Sequence, residues 1–361
     1  GGALAHLQRA AELAPDRLEY RLEYARALQR DGDLSAAAPI YDALTQTRPS
    51  DPTLWVEHGH VLLQLDHPDE AAACFDHALA LDSAALPALL GAARAAQRQG
   101  QLPLAQTYLR TALQQQPDDP DALAAMGRVE AALGNREEAL RLVARASRLA
   151  PHSLSLPLEQ ARLLLDCNRP ADALALLKPL RDQQPDRDDL HSLLGQALAM
   201  SGQHKEAQSA FAQAVALAPR RAEHHLRLAR LHQQTGQLDA ALVALEQASG
   251  LAPQDAELQM EIGGLFDERL QWPEAFTRYQ NVVAMMSRAA DEGQKTRHLM
   301  AADGATHSEA CFRAGVALKN LKRIPEAITF LREAVRLNPA HRAAHRQLAA
   351  VSALGLVSGG T

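Results

Sequence analysis

Prolines recur along the 361-residue chain at a spacing of 34 residues, and this period constrains the fold more than any other feature. The series contains Pro15, Pro49, Pro117, Pro151, Pro185, Pro219 and Pro253, and it resumes at Pro339 after an 18-residue insertion. Ser83 and Ser287 occupy the two remaining positions of the series. A fixed period of this size is the signature of a repeat array, in which each repeat buries its apolar surface only against its neighbours. The length therefore indicates a count of repeats rather than two or three globular domains.

Three columns of the repeat keep their size in all nine copies: position 20 is alanine, position 8 is glycine or alanine, and position 24 is large. The repeats begin at Leu18, Pro52, Leu86, Pro120, Leu154, Asp188, Ala222, Ala256 and Ser308. Each has room for two helices of about a dozen residues, a first and a second helix, joined by a turn. In repeat 7, Gly236 is expected to end the first helix in the left-handed conformation. The small residues are expected where the two helices approach closely, with the large one filling the groove between neighbours.

Five segments follow from this alignment. Residues 1–17 match only the second helix of a repeat, residues 18–289 form eight consecutive repeats, and residues 308–341 form the ninth. Residues 290–307 are an insertion, expected to be a loop in which residues 296–302 are able to form a helix. This insertion either re-spaces the last repeat or carries a binding function. Residues 342–361 are expected to form a capping helix and a tail. A chain that starts in the middle of a repeat is expected to come from a longer protein.

Repeat 2 carries Trp55, Gly59, Ala71, Phe75 and Ala78 at regular spacings. In these columns the chain resembles the tetratricopeptide repeat, whose pattern is W-x2-L-G-x2-Y followed by Ala, Phe, Ala and a closing Pro. The resemblance covers essentially the whole chain and implies an all-α fold, an α-solenoid in which antiparallel helix pairs form a right-handed superhelix. The motif is specific for this fold and unspecific for function. The amino-acid composition, rich in Ala, Leu, Arg and Gln, favours a bacterial source.

The composition limits the class of binding partner and the cellular compartment that we expect for this protein. The net charge of −6 and the pI near 6.2 argue against nucleic acid, because phosphate binding needs a basic footprint. No apolar stretch is long enough for membrane insertion, and no signal peptide is visible. Cys74, Cys167 and Cys311 are too scattered for a disulfide framework or a zinc site. A cytoplasmic protein is expected, and a periplasmic one stays open because the native N-terminus is expected to be missing.

No catalytic motif is present in the sequence. We therefore predict that this chain alone is not an enzyme and that it binds neither a cofactor nor a metal. His341 and His345 lie one helical turn apart, but no further ligands accompany them. The histidines are therefore expected to be ordinary surface groups.

The resemblance implies that positions 2, 5, 6, 9, 12 and 13 of the first helices line a concave groove. Position 9 carries a cation or a polar donor through seven repeats, namely Arg26, His60, Arg94, Arg128, Arg162, Gln196 and Arg230. Repeat 8 reverses the charge with Glu257 and Glu261. Because guanidinium groups bind carboxylates through two parallel bonds, this pattern predicts binding of an extended, acidic segment in one direction. The competing explanation is that Arg26 and Arg162 pair with Glu23 and Glu159 within their own helices.

The sequence thus predicts a protein–protein interaction scaffold that binds an extended peptide or a partner domain in the groove. Two alternatives stay open. The array could recruit substrates for a larger enzyme, such as a glycosyl-, sulfo- or methyltransferase. It could instead belong to a periplasmic protein for exopolysaccharide or pilus export.

Overall fold

A computed structural model of the chain describes residues 2–14, 16–291 and 299–358, with side chains at residues 4–14, 16–288 and 304–353. The described chain consists of helices joined by short turns and contains no strand. It divides into two compact parts, an N-terminal half of residues 1–177 and a C-terminal half of residues 178–361. The all-α array of helix pairs that the sequence predicts is confirmed.

The described helices alternate regularly between first and second helices of the repeats. Even-numbered helices from α2 to α18 are the first helices of repeats 1–9, odd-numbered helices from α3 to α19 are the second helices, and α1 and α20 are single helices at the ends. Their bounds are α1 Gly2–Leu13, α2 Leu18–Asp31, α3 Leu34–Thr47, α4 Pro52–Gln64, α5 Pro68–Leu81, α6 Leu86–Arg98, α7 Leu102–Gln115, α8 Pro120–Ala132, α9 Arg136–Leu149, α10 Ser155–Asp166, α11 Pro170–Gln183, α12 Asp188–Met200, α13 His204–Leu217, α14 Ala222–Gln234, α15 Leu238–Leu251, α16 Ala256–Glu268, α17 Trp272–Asp291, α18 Leu299–Asn320, α19 Ile324–Leu337 and α20 Arg342–Ser358.

The turn inside each repeat has one residue in the left-handed region, at repeat position 15. In five repeats this residue is glycine, with φ between +74° and +88°, and Gly236 is confirmed among them. The other four are Asp66, Asn168, Leu270 and Lys322, with φ between +55° and +64°. The left-handed residue turns the chain so that the next amide donates to a carbonyl of the last helical turn, as Gln237 N–H does to the His232 oxygen at 2.8 Å. Position 15 therefore demands a backbone conformation that only glycine adopts without strain.

The close approach of the two helices in a pair occurs where the sequence predicts it. All nine alanines at position 20 are fully buried. Position 8 lies against position 24, since a Cβ added to Gly59 would come within 2.7 Å of the Phe75 ring. Three of the four repeats with alanine at position 8 have leucine at position 24, the pairs being Ala93 with Leu109, Ala161 with Leu177 and Ala229 with Leu245. The two positions share one limited volume.

The insertion lengthens the helices on either side of it. Helix α17 has 20 residues and α18 has 22, whereas α15 has 14 and α16 has 13. Residues 290–291 and 299–307 are therefore helical. Residues 299–302 belong to the stretch that the sequence allows to be helical, whereas residues 290–291 and 303–307 are helical where a loop is expected. The part of the insertion at residues 292–298 lies outside the described residues, as does the end of the predicted tail at residues 359–361.

No helix in the described ranges combines the length and the apolar character that a membrane crossing requires.

We expect the substitution Leu270→Gly to stabilise the protein by about 1 kcal/mol, because a left-handed leucine costs more than the added chain entropy of glycine. The Leu270 side chain is 68% exposed and loses little burial. The matched control is Leu133→Gly, one position earlier in repeat 4, where φ is −78°. That change should destabilise by about 1 kcal/mol. Urea unfolding measures both, and a lower midpoint for Leu270→Gly would contradict strain at position 15.

Candidate functional site

The tetratricopeptide resemblance assigns positions 2, 5, 6, 9, 12 and 13 of the first helices to the groove, and these positions within each half are called here the first-helix face. All nine predicted site residues lie on first helices: Arg26 on α2, His60 on α4, Arg94 on α6, Arg128 on α8, Arg162 on α10, Gln196 on α12, Arg230 on α14, and Glu257 and Glu261 on α16. The side chains differ in exposure. Arg94, Arg128, Arg162, Arg230 and Glu257 are exposed, and Arg26, His60, Gln196 and Glu261 are half-buried.

Arg26 is held by two carboxylates. Its Nη2 lies 2.5 Å from Oε1 of Glu57 and its Nε lies 3.0 Å from Oε2 of the same side chain, so the pair is bidentate. Its Nη1 donates to Glu23 at 2.9 Å. The hydrogen bond with Glu57 is the main reason that the pKa of Arg26 is raised. From below, the buried Tyr41 hydroxyl donates to Glu57 at 3.1 Å. This guanidinium is therefore part of the packing between repeats 1 and 2.

The same connection recurs between position 9 of one repeat and position 6 of the next, always 31 residues apart. Arg128 Nη1 lies 3.1 Å from Glu159, and Arg230 Nη2 lies 3.3 Å from Glu261. In repeats 6 and 7 the polarity is reversed, because Arg227 at position 6 donates to Gln196 at position 9, at 2.6 Å. This connection was not predicted from the sequence. The sequence does contain a signal for it, because each of these arginines at position 9 is followed by a glutamate at position 6 of the next repeat.

The competing explanation of pairing within one helix is right for Arg26 and wrong for Arg162. Arg26 pairs with Glu23 three residues earlier at 2.9 Å. Glu159 instead accepts both of its hydrogen bonds from Arg128 of the preceding repeat. The contact between repeats replaces the contact within the helix.

Two arginines of the first-helix face are left without a partner in the N-terminal half. Arg94 and Arg162 are exposed and form neither a hydrogen bond nor an ion pair with another described residue of that half. For Arg94 the reason is visible in the sequence, because the next position 6 is Ala125. Its own position 6 is Gly91, where an added Cβ would collide with the Phe75 ring. Arg94 thus stands on a surface of small residues.

His60 lies next to Arg94 on this face and is kept largely uncharged near neutral pH. Its half-buried ring contacts Phe75 edge-on, with 5.3 Å between ring centroids. Burial lowers the pKa of His60, the positive charge of Arg94 lowers it further, and Glu57 opposes both effects. His60 therefore offers a neutral imidazole instead of a further cation.

The acidic end of the first-helix face lies on α16. Glu261 is neutralised by Arg230, whereas the exposed Glu257 borders a cavity of about 730 Å³ that also involves Met260, Glu309 and His341. His341 Nε2 and Glu309 Oε2 are 3.1 Å apart across this cavity. The lengthened α18 supplies Ala305 and Thr306 to the same wall. The charge reversal that the sequence predicts near repeat 8 thus borders a real cavity.

Histidines have structural roles that the sequence analysis missed. His58, His191, His224 and His232 are buried, so the prediction of surface histidines is wrong for these four. At position 4, the side chain donates to the carbonyl oxygen of the proline at position 32 of the preceding repeat. The pairs are Trp55 with Pro49 at 2.9 Å, His191 with Pro185 at 2.7 Å, His225 with Pro219 at 2.9 Å and His345 with Pro339 at 2.9 Å. Histidine here replaces the tryptophan of repeat 2.

Among the described residues, no group of three His, Cys, Asp or Glu side chains could hold a metal ion. His341 and His345 each bind a different protein oxygen, Glu309 and the Pro339 carbonyl. Burial raises the pKa of Cys74 to about 11 and that of Cys311 to about 12, so both thiols are protonated and unreactive.

Family models match most of the chain. Models described as tetratricopeptide repeat match residues 1–52, 62–129, 198–260 and 308–341, and the model of the cytochrome c-type biogenesis protein H TPR domain matches residues 100–225. The chain belongs to the tetratricopeptide repeat superfamily. Tetratricopeptide repeats form scaffolds for protein–protein interaction and are typically not catalytic. No curated protein matches this sequence.

Solved structures agree on the tetratricopeptide fold. A tetratricopeptide repeat protein from Parabacteroides merdae is 16% identical, with a TM-score of 0.56 over 68% of this chain and 97% of that one. The structure of a human IFIT1 dimer with PPP-AAAA is 18% identical, with a TM-score of 0.52 over 93% of this chain and 86% of that one. At these identities the likeness shows the fold alone.

We expect Arg94→Gln to raise the pKa of His60, because removal of a nearby positive charge favours the imidazolium. Glu57→Gln should lower it, because that carboxylate favours the charged form. NMR titration of the histidine ring protons measures both, with His60→Gln assigning the resonance. Arg110→Gln, on a second helix, is the control that should leave His60 unchanged. An unshifted His60 in Arg94→Gln would mean that the two side chains are not close.

Proposed function

We propose that this tetratricopeptide array is a non-catalytic scaffold that binds an extended, acidic peptide segment along the first-helix face of its N-terminal half. The free guanidinium groups of Arg94 and Arg162 carry this proposal. Arg26 is occupied by Glu23 and Glu57 and contributes to packing. Arg128 donates to Glu159 through Nη1 only, so its other N–H groups are available to a ligand.

The spacing of the free arginines suits an extended chain. Neighbouring helices pack about 8–10 Å apart, and an extended peptide advances about 3.3 Å per residue. One repeat therefore corresponds to about three peptide residues, and Arg94 and Arg162, two repeats apart, to about six. Small residues at Gly91 and Ala125 leave room for the peptide backbone beside Arg94.

Exposed arginine–carboxylate pairs contribute about 0–1 kcal/mol each. Binding through them is therefore weak for each contact, sensitive to salt, and dependent on several contacts made together. Such a surface suits a scaffold that captures and releases a segment.

The test uses a fluorescent peptide of about twelve residues that alternates glutamate with serine and glycine, which is long enough to span the repeats concerned. We expect the double variant Arg94→Glu with Arg162→Glu to weaken its binding by about tenfold or more, because two attractive contacts become repulsive. Fluorescence anisotropy at low and high salt measures the effect. Salt should weaken binding to the unaltered protein.

The matched control reverses the same number of charges elsewhere in the N-terminal half. Arg110 and Arg148 are exposed residues of the second helices α7 and α9. The variant Arg110→Glu with Arg148→Glu changes the net charge equally and should retain binding. Equal loss in both double variants would reduce the effect to net charge, and retention in both would overturn the proposed site.

The match of residues 100–225 to the cytochrome c-type biogenesis protein H TPR domain favours a more specific candidate, a part in the assembly of c-type cytochromes. In that case, cells from which the gene is deleted should lose covalently bound haem from their c-type cytochromes. Haem staining of denaturing gels measures this. Unchanged staining would remove this candidate and leave the scaffold proposal intact.

A further inference from the structure

A cavity of about 440 Å³ opens on the first-helix face of the C-terminal half, between α12 and α14. Its floor is apolar, with Ala199, Met200, Phe211 and Leu226. Its rim carries the carboxylate of Glu223 and the guanidinium groups of Arg227 and Arg230. These side chains come from positions 2, 5, 6, 9, 12, 13 and 24 of repeats 6 and 7, so the cavity belongs to the surface that the tetratricopeptide resemblance assigns to binding.

The cavity exists because of particular side chains. Ala199 stands at position 12, where several other repeats have Leu or Gln, so the floor is not filled from α12. Phe211 at position 24 is only 3% exposed and closes the floor from below. Met200 is 41% exposed, an unusual position for an apolar side chain. Met is unbranched and adapts its shape to different apolar partners.

The two arginines on the rim differ in availability. Arg227 is held on both sides, by Glu223 through Nη2 at 2.6 Å and by Gln196 through Nη1 at 2.6 Å. Arg230 has only contacts of 3.3 Å to Glu261, longer than ordinary charge-assisted hydrogen bonds, and its side chain is 56% exposed. Arg230 is therefore the guanidinium that can turn to an incoming carboxylate, whereas the charge of Arg227 is balanced by Glu223 at 2.6 Å.

From this arrangement we infer that the cavity binds one apolar side chain of the partner segment, of the size of leucine to phenylalanine, that lies next to an acidic residue. The apolar side chain covers Met200 and Leu226, and the neighbouring carboxylate pairs with Arg230. This inference rests on the proposed function, since it takes from it an acidic segment as the ligand, and it concerns the C-terminal half by itself. It adds a requirement that the arginines of the N-terminal half do not impose.

The experiment compares three labelled peptides of equal length, of about twelve residues. The first contains glutamate, serine and glycine only. The second is identical except for one central leucine, and the third has that leucine with all glutamates replaced by glutamine. We expect the second to bind about tenfold more tightly than the first, because burying a leucine side chain is worth at least that factor. The third should bind more weakly than the second.

Two variants locate the effect. Ala199→Phe fills the cavity and should remove the advantage of the leucine peptide while leaving binding of the first peptide unchanged. Ala131→Phe introduces the same bulk at the same repeat position on α8, in the N-terminal half, and should retain the advantage. Met200→Gln changes an exposed side chain without adding volume and should reduce the advantage, which keeps the test valid if Ala199→Phe disturbs folding. Circular dichroism monitors the helix content of each variant.

The outcomes separate this inference from the proposed function. Binding of the first two peptides with equal affinity, lost in Arg94→Glu with Arg162→Glu, would overturn the anchor site and leave the acidic-segment proposal standing. A leucine advantage that survives both Ala199→Phe and Met200→Gln would also overturn the anchor site. Equal binding of the second and third peptides would overturn the part played by Arg230. Binding of none of the three would overturn both proposals.

Discussion

The side chain at position 24 is the contact on which the rest of the array depends. It is packed between position 8 of its own repeat and position 6 of the next, as Phe75 is between Gly59 and Gly91. It therefore sets both the closeness of the two helices in a pair and the distance to the following pair. One residue in each repeat performs this task, and it is aromatic in only four of the nine repeats (Tyr41, Phe75, Phe211 and Tyr279), so the chain needs few aromatic residues, and they make up only 4% of it.

The same contact decides which charges on the first-helix face are paired. The Phe75 ring leaves no room for a side chain at residue 91, which is Gly91. The position 6 that follows His60 therefore carries no carboxylate, and the His60 imidazole packs against the Phe75 ring instead. Where position 24 is Tyr41, its hydroxyl supports Glu57, and that carboxylate binds Arg26. The core side chain at position 24 thus affects which charged groups are paired on the first-helix face. The net charge of −6 says little about this face, because its charges are distributed repeat by repeat.

Much of the fold could be predicted because the repeat presents each structural rule nine times. The buried alanines of position 20, the small residues of position 8 and the left-handed Gly236 all follow from the alignment. The left-handed Leu270 and Lys322 could not be predicted from local preference, because there the surrounding repeat imposes a conformation that the residue itself disfavours. The helical residues 290–291 and 303–307 of the insertion were not predicted for a related reason, since the glycines and acidic residues there locally indicate a loop.

The helix on which each candidate residue lies was predictable, and the ion pairs that it forms were less so. Position 9 does lie on the first helices, but a single column of the alignment could not show that Arg128 and Arg230 bind the position 6 carboxylate of the following repeat. That pairing needs two columns read together across the repeat boundary. The histidines at position 4 show the same limit, because His191 and His225 matter through the carbonyl oxygen of the preceding repeat and not through their own helix.

The division of the arginines also separates binding from stability. In an array whose repeats contact only their neighbours, a bond between adjacent repeats contributes to the coupling that holds the array together. Substituting Arg26, Arg128 or Arg230 removes such a bond and leaves a partly buried glutamate unpaired, so a loss of binding there would have two causes. Arg94 and Arg162 have no such role in the N-terminal half, and the small residues around Arg94 leave nothing for its guanidinium to support. Arg94 and Arg162 are therefore the positions at which a change in partner binding can be measured without a loss of contacts between repeats.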